Sequence, residues 1–354
     1  MSDRNALETR FPLLGEHFRR EKLAVLPTPV IERRLKHKGS RHTLHIKCDD
    51  QTGEIYGGNK TRKLEYLLHK ARARNRKRVA TFGAVGSHHA LATALYAHKL
   101  GFGSTCFLSH QKRVPSIAEA LDMHLRNDTE IVRFGGNYAK RIATLRKYLW
   151  NRGAWVIPAG GSSWLGAIGF VNAGLELAGQ VEAGELPQPD RIYVAAGTLG
   201  TVAGLAIGLA LAGLATEVHA VRVTEPAYSG ADLLDRLLRK TLTMMQMADP
   251  TLPSDLSAKL NIRLRHSFFG AGYAHSDAAT DLAVELARDE LGLSLECTYT
   301  GKTMAALLAD LAATTRKDQQ ILFWNTYSSV PMQESSGVAP DDDRLPAAFR
   351  SYYS

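Results

Sequence analysis

The sequence predicts an α/β protein of two lobes with mostly parallel β-sheets. Short apolar runs alternate with longer helical patterns along the chain, which is typical of parallel βαβ units. The length of 354 residues favours two domains or one large one, and it suffices to bury a large core. Changes marked by glycine and proline at residues 51–58 and 158–161 indicate crossings between the two lobes.

The predicted strands and helices follow one another in pairs. The pairs of the first half are 79–82 with 87–99, 104–108 with 117–126, 131–134 with 138–152, and 155–157 with 163–179. The second half is predicted to hold strands 192–196, 217–223 and 320–324 and a small-residue helix over 202–214. We expect a small domain of residues 53–164 and a large domain of residues 1–52 and 165–354. Ligands of such sheets bind outside the carboxyl ends of the strands, so the loops that follow strands are the candidate site.

The net charge of +9, from 44 basic and 35 acidic residues, suggests at first a polyanionic partner. Much of the excess lies in residues 33–38 and 72–78. Neither stretch has interleaved aromatic residues, and no zinc-finger or RNP-type spacing accompanies them. Residues 72–78 also close a predicted helix, where cations suit the negative end of the helix dipole. We interpret both stretches as solvated basic faces, with nucleic-acid binding as the disfavoured alternative.

Cysteine content and the apolar segments bear on the compartment. Three scattered cysteines are too few for a disulfide framework or a zinc site, which favours a reducing compartment. Residues 1–20 lack the apolar segment of a signal peptide, so we predict a cytoplasmic location. Residues 192–216 carry no charge and are long enough to span a bilayer. They divide into a strand-like, a turn-like and a helical piece, so we predict a buried strand–loop–helix and no membrane span.

The first of four candidate loops delivers a lysine to the start of a helix. Residues 56–65 read Tyr-Gly-Gly-Asn-Lys-Thr-Arg-Lys-Leu-Glu, with Lys60 in the first helical turn. The positive end of the helix dipole disfavours a cation there and lowers the pKa of the amine. A partly neutral amine is what a nucleophilic lysine needs, although an ordinary surface lysine is the alternative.

The second loop, residues 83–90, follows a predicted strand. Ser87 can cap the next helix, or its hydroxyl can face the site. His88 and His89 are adjacent, so their side chains diverge on a helix and do not form a metal pair. We therefore predict no metal site.

Two further loops complete the candidate pocket. Residues 197–201, Gly-Thr-Leu-Gly-Thr, form a glycine-rich strand-to-helix turn that can cradle a phosphate monoester or serve close packing. It is neither a P-loop nor a Gly-x-Gly-x-x-Gly turn. Residues 297–304 place Tyr299 before another helix, either as a pocket hydroxyl or as core packing. Together the four loops predict a lysine, a phosphate cradle and an aromatic hydroxyl around one pocket.

The motif around Lys60 is the most specific of these features. Residues 57–66, Gly-Gly-Asn-Lys-Thr-Arg-Lys-Leu-Glu-Tyr, resemble the cofactor-lysine motif of the 1-aminocyclopropane-1-carboxylate (ACC) deaminase/D-cysteine desulfhydrase family. Members of that family are pyridoxal-phosphate enzymes with the tryptophan synthase β-subunit fold, known as fold type II. Further matches follow in the same order at residues 27–29, 86–89, 160–166, 197–201, 272–273 and 299–302. The resemblance therefore extends over nearly the whole chain.

The resemblance implies a role for each matching residue. Lys60 would form the Schiff base with pyridoxal 5′-phosphate and later move a proton, with Asn59 and Ser87 beside the cofactor. Tyr273 and Tyr299 would face a small amino-acid substrate, and a homodimer is the expected assembly. His88 would replace an asparagine that in the family bonds the 3′-oxygen of the cofactor. The remaining cofactor-binding residues would be Gly197, Thr198, Leu199, Gly200 and Thr201 at the phosphate, and Thr300 or Thr326 at the pyridine nitrogen.

Three of the matching positions guide the choice of reaction. A threonine at the pyridine nitrogen cannot hold that nitrogen protonated as a carboxylate would, which favours β-elimination over opening of the cyclopropane ring. We predict a lyase of the D-cysteine desulfhydrase or cysteate lyase type that yields pyruvate and ammonia, with ACC deaminase as the alternative. His88 and Tyr327, the latter in place of a glycine, motivate a second alternative, a homologue that binds cofactor or amino acid without turnover.

Overall fold

The computed structural model describes residues 4–114, 116–136, 138–150, 153–314 and 318–353. Its strands are β1 (Val30–His37), β2 (Ser40–Lys47), β3 (Arg78–Ala84), β4 (Gly103–Ser109), β5 (Glu130–Arg133), β6 (Trp155–Val156), β7 (Arg191–Ala196), β8 (Glu217–Arg222), β9 (Ile262–Arg265) and β10 (Ile321–Trp324). Its helices are α1 (Ala6–Arg10), α2 (Pro12–His17), α3 (Lys60–Ala73), α4 (His88–Lys99), α5 (Ser116–Arg126), α6 (Tyr138–Leu145), α7 (Trp164–Glu182), α8 (Gly200–Leu211), α9 (Pro226–Ser229), α10 (Ala231–Ala248), α11 (Ala278–Leu291) and α12 (Thr300–Ala313).

The larger sheet of the described chain has the strand order β1-β2-β10-β7-β8-β9. β1 and β2 form an antiparallel hairpin whose turn uses Lys38 and Gly39, both with positive φ. The other neighbours are parallel, with β10 between β2 and β7 so that Leu322 lies opposite both His45 and Ile192. A parallel strand buried on both faces favours a continuous apolar run, and β10 (Ile-Leu-Phe-Trp) is buried throughout.

The smaller sheet has the strand order β5-β4-β3-β6, and all its pairs are parallel. All four strands come from residues 78–156, so the chain enters this sheet after α3 and leaves it before α7. Its central strands β3 and β4 carry buried apolar and threonine side chains, and α4 packs against both. The carboxyl ends of its strands therefore share one edge.

Helices α7 and α8 form the centre of the larger lobe. Their axes approach closely because two glycines of α8 lie directly against the backbone of α7. A Cβ on Gly204 would lie 2.1 Å from the Ala167 carbonyl oxygen, and a Cβ on Gly208 would lie 2.3 Å from the Val171 carbonyl oxygen. In the uncharged segment 192–216, the strand β7, the turn and α8 as far as Ala210 are buried or nearly so, as the sequence predicts, and residues 213 and 215 beyond α8 are exposed. Within the described residues, no helix is both long and apolar enough to cross a membrane.

A buried ionic cluster ties the start of α3 to the larger sheet. Arg62 donates to Asp49 (Nη2 to Oδ1, 2.7 Å) and to Glu176 of α7 (Nη1 to Oε2, 3.0 Å). Lys47, the last residue of β2, donates to the same Glu176 carboxylate at 2.6 Å. All four side chains are buried. Since Arg62 lies two residues after Lys60, this cluster fixes the helical turn that carries the candidate nucleophile.

The structure also shows elements that the sequence patterns did not predict. β1, β2 and β9 lack an apolar run: the middle of β1, Glu32–Arg34, is exposed on the outermost strand of its sheet. Most of the basic stretch 33–38 lies there, and residues 72–77, the last two of α3 and the four that follow, are exposed. The helix predicted over 138–152 is α6 followed by a π-helical turn, Arg146–Trp150, and residues 151–152 lie outside the described residues. The division into two domains, 53–164 and the remainder, stays a prediction.

Candidate active site

A cavity of about 770 Å³ lies at the carboxyl ends of strands from both sheets. Its wall includes Ala84 and Ser109 at the ends of β3 and β4, and Ala195 and Gly197 at the end of β7. Four helices, α3, α4, α8 and α12, begin at or beside this wall. Their N-terminal ends carry partial positive charge, so the cavity suits an anionic ligand. The volume falls in the usual range for small-molecule sites.

Lys60 is the first residue of α3, and its amine faces the cavity. Its Nζ donates to Asn59 Oδ1 at 2.9 Å, and Asn59 Nδ2 donates to Thr201 Oγ1 at 3.0 Å. Burial lowers the pKa of the Lys60 amine to about 8. About a tenth of the amine is therefore neutral at pH 7, far more than for an ordinary lysine, and the asparagine holds the amine next to the glycine-rich turn.

The glycine-rich turn, residues 197–201, leads from β7 into α8. Leu199 has a left-handed backbone (φ 67°), and its side chain is buried in the core, so it offers the cavity only backbone. Leu199, the N-cap residue of α8, makes no side-chain cap, and among the described residues the first-turn N–H groups of Thr201 and Val202 have no side-chain acceptor, so these two suit a ligand. Thr198 Oγ1 lies 2.7 Å from Ser162 Oγ, which accepts a hydrogen bond from the Gly200 N–H. Gly200 itself is set back from the lining.

A second lysine, which the sequence analysis did not select, lies close to this turn. Lys63 is almost fully buried, lines the cavity and donates from Nζ to the Gly160 carbonyl oxygen at 3.2 Å. Gly160 in turn contacts Thr198, because a Cβ on it would lie 2.0 Å from Thr198 Oγ1. Burial lowers the pKa of Lys63 well below its usual value. Its spacing of three residues from Lys60, on one face of a helix, is the signal that points to it.

Ser87 combines its two predicted roles. It is the N-cap of α4, where its Oγ accepts a hydrogen bond from the Ala90 N–H at 3.3 Å, and it also lines the cavity. His89 is buried in the fold with its Nε2 2.9 Å from Thr81 Oγ1. His88 instead turns to the other side, where it contacts Tyr56 and Tyr327. The two histidines therefore diverge.

Two tyrosines form the opposite part of the wall. The hydroxyls of Tyr273 and Tyr299 lie 2.7 Å apart, and Lys60 Nζ lies 6.0 Å from the centre of the Tyr299 ring. Burial raises the pKa of Tyr273 to about 12 and that of Tyr299 well above 10. Both hydroxyls are therefore protonated at neutral pH: one donates to the other, and the one that accepts can donate its own proton to a ligand.

Glu296 is a further polar side chain that the sequence analysis missed. Its carboxylate lines the cavity and accepts hydrogen bonds from the N–H groups of Thr298, Tyr299 and Thr300 at 2.7–2.9 Å. Thr300 is buried behind it, with Oγ1 3.1 Å from Glu296 Oε1. Thr326 lines the cavity and accepts the Asn59 N–H through its carbonyl oxygen at 3.2 Å. A carboxylate just before a helix start is a capping pattern, and this is the signal that could have identified Glu296.

These observations fit one class of cofactor. The site combines three features that suit a phosphorylated aldehyde. They are a lysine amine of lowered pKa, a helix start that its N-cap residue Leu199 leaves without a side-chain cap beside threonine hydroxyls, and a glycine cradle that a Cβ at position 160 would fill. They define the class of enzymes that attach such a cofactor through a lysine.

Comparison with known proteins gives the family. The model of a family described as pyridoxal-phosphate dependent enzyme matches residues 21–326, and this chain belongs to that family. A D-cysteine desulfhydrase of Klebsiella pneumoniae is 33% identical over 90% of this chain and 94% of its own length. A nocardicin C-9′ epimerase of Nocardia uniformis is 31% identical over 84% of this chain and 90% of its own length. The crystal structure of an ACC deaminase homologue superimposes with a TM-score of 0.71 and 28% sequence identity. The match covers 90% of this chain and 94% of the homologue. The predicted fold class, family and cofactor are confirmed.

Proposed function

We propose that this protein is a lyase that eliminates a β-substituent, a thiol or a sulfonate, from a small amino acid and releases pyruvate and ammonia. The observation that carries the proposal is Lys60, a cavity-facing amine of lowered pKa held by Asn59 at the start of α3. The relative named D-cysteine desulfhydrase supports the choice of elimination. We also propose a cytoplasmic location, which the three scattered cysteines favour, and a homodimer, which the sequence resemblance implies.

Each polar group of the wall has a place in this reaction. Pyridoxal phosphate supplies an electron sink for the bond electrons of the substrate Cα. Its phosphate would lie against Gly197–Thr201 and the start of α8, with the Lys63 amine nearby as a hydrogen-bond donor. The N–H groups at the start of α4 and the Ser87 hydroxyl are suited to the substrate carboxylate.

The proton transfers can be assigned to two groups of the wall. The neutral Lys60 amine accepts the Cα proton at Nζ, and Asn59 Oδ1 holds the resulting ammonium by a charge-assisted hydrogen bond. The C–X bond at Cβ then breaks with formation of a Cα–Cβ double bond. Tyr273 and Tyr299 are both protonated, and whichever of the paired hydroxyls accepts the mutual hydrogen bond can donate one to the departing group. These roles account for the four predicted catalytic residues.

The test is reconstitution of the purified protein with pyridoxal phosphate. We expect a visible absorption band that borohydride bleaches, and pyruvate from at least one of D-cysteine, L-cysteate and D-serine. Lys60→Ala should abolish both, whereas Lys70→Ala, near the other end of α3, should retain both. Failure to form the band would contradict the proposal.

Two other outcomes of this assay would favour other functions. Ammonia release from ACC without pyruvate from the other substrates would support the deaminase alternative. A band without turnover of any substrate would support a homologue that only binds the cofactor.

A further inference from the structure

Three side chains on the cavity wall have no part in the proposed reaction. Tyr56 precedes the Gly57–Lys60 segment, His88 is the first residue of α4, and Tyr327 follows β10. All three line the cavity. We call them the Tyr-His-Tyr cluster. They come from three separate parts of the chain, so their contact is a product of the fold.

The cluster holds the His88 ring on two sides. The Tyr56 hydroxyl is hydrogen-bonded to His88 Nδ1, and the two rings lie nearly parallel, at 26°. The Tyr327 ring meets the His88 ring edge-on, with centroids 4.9 Å apart and an angle of 88°. Tyr56 is itself fixed, because its carbonyl oxygen accepts hydrogen bonds from Tyr96 Oη (2.6 Å) and Thr61 Oγ1 (3.1 Å).

The direction of the Tyr56–His88 hydrogen bond decides the tautomer of the imidazole. Among the described residues, the buried Tyr56 hydroxyl has no acceptor other than His88 Nδ1, so donation to that nitrogen is what satisfies its proton. Burial raises the pKa of Tyr56 well above 10, and burial together with Lys60 lowers the pKa of His88. Both groups are therefore neutral at neutral pH. A neutral imidazole that accepts at Nδ1 carries its proton on Nε2.

We infer that Tyr56 is a positioning residue that fixes His88 in the Nε2–H tautomer, with Tyr327 restraining the ring, so that His88 presents a neutral hydrogen-bond donor to the cofactor. This inference rests on the proposed function for the presence of the cofactor. An asparagine side chain always carries N–H donors, so it needs no second hydrogen bond to act as a donor. A neutral imidazole has one N–H, and only a hydrogen bond to its other nitrogen fixes which of the two nitrogens carries the proton. Tyr56 supplies that hydrogen bond.

The first test reads the tautomer directly. Long-range ¹H–¹⁵N NMR of the full chain labelled with ¹⁵N-histidine, with and without pyridoxal phosphate, should show a His88 signal of the Nε2–H form. His88→Asn identifies that signal by its loss. Tyr56→Phe should convert the signal to a mixture of tautomers, whereas Tyr66→Phe, a buried tyrosine of α3 bonded to Asn5, should leave it unchanged. A Nδ1–H signal in the native protein would overturn the inference.

The second test is a double-mutant cycle on the affinity for pyridoxal phosphate, read by fluorescence titration. Tyr56→Phe alone should weaken binding about tenfold, the effect of one misdirected neutral hydrogen bond. In the His88→Asn background the same substitution should have no further effect, because the amide needs no partner. An equal loss in both backgrounds would overturn the inference.

The two readouts separate this inference from the proposed function. The tautomer in the cofactor-free chain is measured whether or not the protein has lyase activity. Lyase activity in a protein whose His88 is Nδ1–H would therefore refute only the role of Tyr56.

Discussion

Substitution of Glu176 tests whether the buried ionic cluster stabilises the fold around Lys60. Glu176 Oε1 accepts hydrogen bonds from Lys47 Nζ (2.6 Å) and Arg62 Nη2 (2.9 Å), and its Oε2 accepts one from Arg62 Nη1 (3.0 Å). With Asp49, two carboxylates balance two cations. Glu176→Gln leaves one carboxylate for two buried cations, and it turns an N–H donor toward the guanidinium or the ammonium.

Two independent arguments give the size of the effect. Removal of one partner from a buried ion pair costs about 3–5 kcal/mol. Burial alone would raise the pKa of Glu176, but Arg62 and Lys47 overcome it and lower the pKa from 4.5 to about 2. That lowering corresponds to about 3 kcal/mol of folding free energy at neutral pH. We therefore expect Glu176→Gln to lower the free energy of unfolding by about 3 kcal/mol.

The matched control lies on the same helix. Glu182, at the end of α7, forms an exposed ion pair with Arg10. Exposed pairs contribute little, so Glu182→Gln should leave the urea unfolding midpoint at neutral pH unchanged within error. Circular dichroism during urea unfolding measures both variants. Equal midpoints for the two variants would refute the view that burial makes the cluster important.

The pH dependence gives a further check on the same substitution. Because the pKa of Glu176 is lowered in the folded state, its contribution is fully present above about pH 5 and is lost as the pH falls toward 2. The difference in stability between native protein and Glu176→Gln should therefore shrink over that interval. A difference that stays constant from pH 6 to pH 3 would contradict the assignment.

Three other predictions concern the cavity. Because burial lowers the pKa of Lys60 to about 8, the rate at which the cofactor-free protein captures pyridoxal phosphate should rise with pH and level off above about pH 9. Stopped-flow absorbance measures this rate, and a flat profile from pH 6 to 9 would contradict the lowered pKa. Gly160→Ala should weaken the affinity for pyridoxal phosphate at least tenfold, because the new Cβ would lie 2.0 Å from Thr198 Oγ1 and the backbone has a φ of 66°. Gly184→Ala is the control: its φ is 73°, but its Cβ would lie in open space, so the affinity should not change. Glu296→Gln should lower the midpoint of thermal unfolding, because an amide has only one acceptor oxygen for the N–H groups at the start of α12. An unchanged midpoint by calorimetry would show that the carboxylate is not needed as a cap.

The sequence predicted those parts of the fold in which local pattern and burial coincide. β3, β4, β7 and β10 are apolar because both faces of each strand are covered, so their runs are visible in the sequence. β1 is an edge strand with exposed charges, and only its pairing with β2 makes it a strand. Local sequence carries little information about such a pairing.

The candidate site shows the same division between local and distant information. The Lys60 motif is contiguous and was therefore recognisable, as was the glycine-rich turn. The contact of Lys63 with Gly160 joins residues 97 positions apart, and that of Tyr56 with His88 joins residues 32 positions apart. No periodicity of either segment encodes these contacts. The residues missed by the sequence analysis, Lys63 and Glu296, are those whose chemistry depends on a distant or capping contact.

The two lysines of α3 raise the question of which amine attacks the cofactor. Both have a lowered pKa because of burial, so basicity alone does not choose between them. Lys63 Nζ donates to the carbonyl oxygen of Gly160 and lies 5.9 Å from the centre of the Phe170 ring. These two contacts hold the amine close to Gly160. Lys60 donates to a side-chain amide oxygen and lies beside Tyr299, with a larger exposed fraction. Access therefore supports the proposal that Lys60 is the nucleophile, with the Lys63 amine held at Gly160, which contacts Thr198 of the glycine-rich turn.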